Sequence, residues 1–215
     1  AKVINTGSLG GINAMKRGEA DVAGIHLLDE ATGEYNIPFY HRFGLKDKAI
    51  LVRGYARDQG FLLPRGNPRG IQSFDDLVRL KLSLINRNRG SGTRILMDFH
   101  LSKIAASKGM KLDQLTREIQ GYSSEAKSLS AVAAAVAHGP AYAGVGIRTV
   151  AVQYGLDFVK IGDESFDFLV AKDRLGKQAV QSFLGTLGSK EFASLLETRT
   201  PGLKPDLRTG AVIAG

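Results

Sequence analysis

Short apolar runs alternate along the chain with polar stretches marked by glycine and proline, and the spacing inside each run separates helices from strands. Gly10 to Arg17 turns Ile12 and Met15 to one side and predicts a short helix that Gly18 stops. Ala20 to Leu28 (ADVAGIHLL) predicts a buried strand ending at Asp29. A loop through Thr32, Gly33 and Pro38 leads to two β-rich runs, Lys48 to Tyr55 and Gln59 to Pro64. Gly66, Asn67, Pro68 and Gly70 then mark a turn. Ser73, three residues before Asp76, has capping-box spacing and opens a helix from Phe74 to Leu80. Leu82 to Asn86 predicts a short strand, and a glycine-rich turn joins it to a helix over Thr93 to Ser107.

The second half repeats the alternation. Ser123 to His138 (SSEAKSLSAVAAAVAH) predicts the clearest helix, with Leu129, Val132, Ala133 and Val136 as its apolar stripe and Glu125 near its positive end. Gly139 and Pro140 end it. Ala143 to Ile147 and Leu156 to Ile161 predict strands. Two C-terminal helices follow, one carrying Val180, Phe183, Leu184 and Leu187 inward, the other Phe192, Leu195 and Leu196. Strands alternating with helices imply an α/β protein with mostly parallel sheets and helices on both faces. In such proteins ligands gather beyond the carboxyl ends of strands.

Composition narrows the chemistry. The 215 residues contain no cysteine, which removes disulfides, thiolate catalysis and cysteine metal sites. The four histidines, 26, 41, 100 and 138, show no metal-ligand spacing. No apolar run approaches the roughly 20 residues of a membrane-spanning helix, so membrane insertion is not expected. The N-terminal AKVINTGSLGG does not read as a signal peptide. A net charge of +8 suits an anionic ligand or nucleic acid, but the basic residues are dispersed and no segment reads as a base-contacting helix.

One segment gathers more chemistry than its neighbours: Asn86 to Asp98, NRNRGSGTRILMD. A helix start leaves backbone N–H groups unpaired and is partly positive. Gly90 and Gly92 admit a ligand close to that backbone, Ser91 and Thr93 add hydroxyls, and Arg87, Arg89 and Arg94 add charge. The spacing is neither a P-loop nor a dinucleotide fingerprint. Two uses fit: a site for a small oxyanion, or a tight βα turn whose serine or threonine caps the helix. A second hydroxyl-and-glycine loop, TGSLGGINAM, carries Ser8 and Gly10 ahead of the first helix. A third predicted helix start, Tyr122 to Ser128, brings Ser123, Ser124 and Ser128. His26 at a strand end and Glu125 are candidate contacts, although a core histidine and a dipole complement are their commoner roles. Ser91, His26 and Asp29 do not make a nucleophilic triad, for no G-x-S-x-G elbow exists.

Taken in order, SLGGINAMKRGEADVAGIHLLDEATGEYNIPFY, RDQGFLLPRGNPRGIQSFDDLVR, NRNRGSGTRILMD and GYSSEAKSLSAVAAAVAHGPAYAGVGI resemble the periplasmic-binding-protein-like domain of cytoplasmic bacterial and archaeal proteins. That family is related to the type II receptors for molybdate and tungstate. It is often joined to helix-turn-helix regulators or to molybdopterin molybdenumtransferase-type proteins. The resemblance implies a two-lobed type II fold, with residues 1–57 and 167–215 in lobe I and 58–166 in lobe II, and a small anion in the inter-lobe cleft. The family's usual first strand-helix unit is expected to be missing from lobe I. Ser8, Gly10, His26, Arg87, Ser91, Gly92, Thr93, Arg94, Tyr122, Glu125 and Ser128 become the expected ligand-binding set. The chain departs from the family where a Thr-His pair is replaced by Ser128-Leu129 and an Ala-Asp pair by Ala141-Tyr142.

The implied function is non-catalytic binding or sensing of molybdate, tungstate or a molybdenum-cofactor species, with no covalently bound cofactor. Two alternatives belong to other classes: the effector module of a helix-turn-helix regulator, or part of an enzyme handling molybdopterin. A DNA-binding or cofactor-biosynthesis partner would then lie on another chain segment. The resemblance implies a cytoplasmic rather than periplasmic location.

Overall fold

A computed structural model describes residues 2–215. The first elements are α1 (Gly7–Lys16), β1 (Val22–Ile25), α2 (Ile37–Arg42), β2 (Ala49–Leu63), α3 (Phe74–Arg79) and β3 (Leu84–Arg87). Next come α4 (Gly92–Ser107), α5 (Leu112–Arg117), β4 (Glu125–Ala126), α6 (Leu129–His138), β5 (Ala143–Ile147), α7 (Arg148–Gln153) and β6 (Asp157–Ala171). After a 3-10 turn at Lys172–Arg174 follow α8 (Gln178–Leu187), α9 (Lys190–Arg199), β7 (Leu203–Pro205) and β8 (Val212–Ala214).

The chain divides into two compact units. Unit 1 holds the described residues up to Arg57, then Gly90–Gly92 and Asp163–Gly215; unit 2 holds Asp58–Arg89 and Thr93–Gly162. β2 and β6 each run through both units, and the turn that opens α4 adds a third segment, Gly90–Gly92, to unit 1.

In unit 1, β6 lies between β1 and β2, and β7 and β8 pair with β2. The β1–β6, β2–β7 and β2–β8 pairs are antiparallel, for example Val22 with Val170 and Tyr55 with Pro205. Val52, Val170, Val180 and Leu187 form a small core against α8. In unit 2, β3 is parallel to both β4 and β5, while β5 runs antiparallel to β2, giving a mixed sheet. A larger core fills it, centred on Phe61, Phe74, Leu77, Met97, Leu101 and Leu115. Burying such side chains contributes roughly 1.5–3 kcal/mol each.

Several predicted elements change their limits for physical reasons. The two β-rich runs around Ala56–Asp58 are one strand of fifteen residues. Gly54 and Gly60 do not break it. A Cβ at Gly54 would stand 2.0 Å from Phe166 O, and one at Gly60 would stand 2.2 Å from Val159 O. These glycines therefore admit β6, which is itself fifteen residues long rather than ending at Ile161. The predicted strand Ala20–Leu28 narrows to Val22–Ile25, the part that pairs with β6. Pro38 lies in the first turn of α2, where its missing N–H costs nothing, and not in a loop. The helix predicted from Ser123 begins only at Leu129, because Glu125 and Ala126 pair with Asn86 and Arg87. Leu195, expected inward on α9, is exposed, whereas Leu196 is buried.

The caps follow the sequence closely. Ser73 Oγ accepts from Asp76 N at 3.2 Å and Asp76 Oδ2 accepts from Ser73 N at 3.1 Å, a complete capping box on α3. Hydrogen bonds from Arg79, from Gln72 N and from Ser73 hold the Asp76 carboxyl down at about 2.

Candidate functional site

The two hydroxyl-and-glycine turns, far apart in sequence, meet in unit 1. Leu9 N donates to Gly90 O at 3.1 Å. A Cβ at Gly7 would lie 3.2 Å from Ser91 Cα, so the backbones are in close contact. Gly7 and Gly90 have φ of 74° and 81°, the left-handed region that favours glycine. Ser8 and Ser91 are both buried there. Ser8 Oγ accepts from His26 N at 3.1 Å, which ties the first turn of α1 to the residue after β1. Gly10 sits inside α1, where a Cβ would meet the Thr6 side chain at 2.7 Å, so it serves packing within the helix.

His26 is held on two sides. Its Nδ1 lies 3.0 Å from Glu164 Oε2, and its ring lies against Gly92, where a Cβ would come within 2.5 Å of Nδ1 and 2.0 Å of the His26 carbonyl oxygen. Glu164 also accepts from Arg57 Nε at 2.5 Å and pairs with Arg57 Nη2. The Arg57 guanidinium stacks over the Phe166 ring at 4.2 Å. Burial would push the Glu164 carboxyl up, but Arg57 and His26 outweigh it and hold the group below its ordinary value. Three residues further along β6, Asp167 accepts from Asn36 Nδ2 at 2.7 Å, from Gly54 N at 3.1 Å and from Arg53 Nη1 at 3.2 Å. Burial wins there, and the Asp167 carboxyl lies above its ordinary value.

Unit 2 gathers a second group around the first turn of α4. Thr93 is 2 % exposed and Arg94 is 4 % exposed. Arg94 Nε donates to both oxygens of Asp98 at 3.0 Å, and its Nη1 donates to Glu125 Oε1 at 3.2 Å. Its guanidinium lies 4.3 Å from the centre of the Tyr122 ring, and Tyr122 OH donates to Asp98 Oδ1 at 2.7 Å. Burial pulls Arg94 down, but Tyr122 and Asp98 raise it further, so it remains a cation. Arg87 Nε donates to Ala126 O at 3.1 Å, and its Nη2 donates to Asn88 Oδ1 and Lys127 O, both at 3.2 Å.

Thus Ser8, His26, Ser91 and Gly92 come together in unit 1, and Arg87, Arg94, Tyr122 and Glu125 in unit 2, with Thr93 beside Arg94 in the chain. Two expected contacts have local structural roles. Ser128 Oγ accepts from Ala131 N at 3.1 Å and caps α6, and Glu125 stands on β4 instead of at a helix start. Tyr142 is likewise committed: its hydroxyl accepts from Arg69 N at 2.8 Å and fastens the turn near Gly70.

Arg57, Glu164 and Asp98 escaped the sequence reading, as did Gln59, whose buried Nε2 has no hydrogen-bond partner among the described residues. A signal existed for three of them. Arg57 and Gln59, with Arg53 and Asp58, stand among the apolar residues of β2, and Glu164 stands in a strand with three phenylalanines. Buried charge of that kind needs a partner.

The fold and these residues define a periplasmic-binding-protein-type domain: the PBP superfamily domain profile matches residues 1–188, and the chain belongs to that family. Among curated proteins, the uncharacterized protein YvgK of Bacillus subtilis (strain 168) is 30% identical over 190 residues, 88% of this chain. The chain spans 58% of the length of that relative. Solved structures share the architecture at low identity. A putative phosphate ABC transporter substrate-binding protein with bound phosphate, from Clostridium perfringens, superimposes with a TM-score of 0.65 at 15% identity, covering 93% of this chain and 85% of its own. The tungstate ABC transporter structure from Geobacter sulfurreducens gives 0.60 at 14% identity, covering 89% and 82%.

Proposed function

We propose that this domain is a non-catalytic receptor for a small oxyanion, held at the start of α4 by Ser91, Thr93, Arg94 and the adjoining backbone amides. The supporting observation is the union of two distant glycine-hydroxyl turns in unit 1, with Ser91 fully buried on the turn that opens a sixteen-residue helix. Charge-assisted hydrogen bonds of about 1.5–3 kcal/mol each suffice for roughly micromolar affinity after association costs, with no covalent step. Molybdate and tungstate are the first candidates, and a molybdenum-cofactor species is a larger one. The phosphate and tungstate named for the two structural relatives set the panel to be tried.

Calorimetric titration with molybdate, tungstate, phosphate and sulfate tests the reading. At least one anion binds, and Ser91→Ala combined with Thr93→Ala weakens it by about tenfold or more, the loss of roughly one charge-assisted hydrogen bond. Silence of the parent protein toward the whole panel, or unchanged affinity in the double variant, overturns the proposal.

A further inference from the structure

We propose that Glu125 is an internal counter-anion on Arg94, holding the position that a bound oxyanion takes. The inference rests on the oxyanion reading of the α4 start and concerns what sets affinity there.

The two carboxylates on Arg94 hold it unequally. Asp98 is one helical turn further along α4, and both of its oxygens lie 3.0 Å from Arg94 Nε. The Tyr122 hydroxyl fixes Asp98 from the other side at 2.7 Å. Glu125 offers one oxygen to Nη1 at 3.2 Å, and that nitrogen has another acceptor, Arg87 O, at 3.5 Å. Glu125 stands on a strand of only two residues, and no second side chain holds its carboxylate as Tyr122 holds that of Asp98 among the described contacts. Asp98 is therefore the scaffold and Glu125 the exchangeable partner.

Charge arithmetic gives the same answer. Arg87 and Arg94 carry two positive charges, while Asp98 and Glu125 carry two negative ones, so the group is neutral as it stands. Arg87 directs Nε and Nη2 to Ala126 O, Lys127 O and Asn88 Oδ1. An incoming dianion meets net positive charge only when the Glu125 carboxylate withdraws toward solvent. Nη1 then keeps an oxygen acceptor throughout, and no buried donor is left unmet. No proton or covalent bond changes hands.

The exchange lowers apparent affinity by the strength of the Glu125–Arg94 pair. For a partly exposed pair that is about fivefold. Calorimetry at low salt on the parent, Glu125→Gln and the control Glu118→Gln, each with molybdate, tungstate, phosphate and sulfate, reads it. Glu118 is an exposed acid elsewhere in unit 2, so the control removes the same unit of charge without touching Arg94. The expected result is about fivefold tighter binding in Glu125→Gln alone. If the parent binds and Glu125→Gln does not gain, or if Glu118→Gln gains equally, the counter-anion is wrong while the oxyanion reading stands. Silence of the parent toward the whole panel removes both.

Discussion

Each unit binds an arginine to carboxylate and aromatic ring, but at different depths. In unit 1, Arg57, Glu164 and His26 are all nearly sealed from solvent, and Arg57 lies over Phe166. In unit 2, Arg94 lies over Tyr122 and is equally buried, yet its partners Asp98 and Glu125 are about one-third exposed. Depth decides what such a pair does. A buried carboxylate that loses its cation has nowhere to be hydrated, so the group acts as one rigid unit. A partly exposed carboxylate can trade its cation for water at little cost. The unit 1 triad is thus built to fix His26 beside Gly92, while the unit 2 pair is built to exchange.

The largest break in this comparison is Glu164→Ala. It leaves Arg57 buried against Phe166 without its carboxylate, and chemical denaturation should show a loss of about 3–5 kcal/mol. Glu164→Gln, which keeps the shape and a hydrogen-bond acceptor, should lose less. The pH dependence has a definite sign. Because Glu164 is held below its ordinary value of 4.5, its contribution is complete above that pH and disappears as the pH falls through the lower folded value. Asp167, raised above its ordinary 3.8, acts in the opposite sense: its contribution is complete below that pH and is lost as the pH rises through the higher folded value. A Glu164→Gln protein whose acid limb is unchanged would show that the triad does not govern unit 1's acid stability.

A smaller loss is expected at Gly92→Ala. The added methyl would meet the His26 carbonyl oxygen and ring, and backbone cannot rotate away as a flexible side chain does. Overpacking of this kind costs about 1–3 kcal/mol. The effect should be read by thermal unfolding, together with a change in the His26 ring resonances. A neutral result would mean that His26 is less firmly seated than the triad implies.

Much of this arrangement was legible in the sequence, and the illegible part has one cause. The capping box at Ser73, strand β5 and the turns around Gly18 and Gly66 were read correctly because their signals are local. The same local rules split β2 around Ala56–Asp58 and gave no sign that Gly54 and Gly60 inside it admit the close approach of β6. They also placed Glu125 at a helix start, since nothing near it announces that Asn86 is its β-partner. Ser8 and Ser91 could be singled out as hydroxyls on glycine loops, but their meeting depends on Leu9 and Gly90 packing across the fold. Arg57 and Glu164 left a trace as charges inside strands, without any indication that each was the other's partner.

The finest test compares stability at Glu125 with that at Glu164. Glu125→Gln should change the unfolding free energy by less than about 1 kcal/mol, the usual ceiling for a partly exposed ion pair. Even that difference should shrink as salt rises toward about 1 M, where screening acts over about 3 Å. The reason is that Arg94 keeps Asp98 and Tyr122 when Glu125 is neutral, so no buried charge is orphaned. Removing Glu164 takes away the carboxylate that Arg57 pairs with, and salt cannot reach that depth to compensate. Denaturation of both variants at low and high salt therefore separates the two carboxylates by magnitude and by screening. A Glu125→Gln loss as large as that of Glu164→Ala, and insensitive to salt, would make Glu125 a fixed strut and leave nothing at Arg94 for an anion to displace.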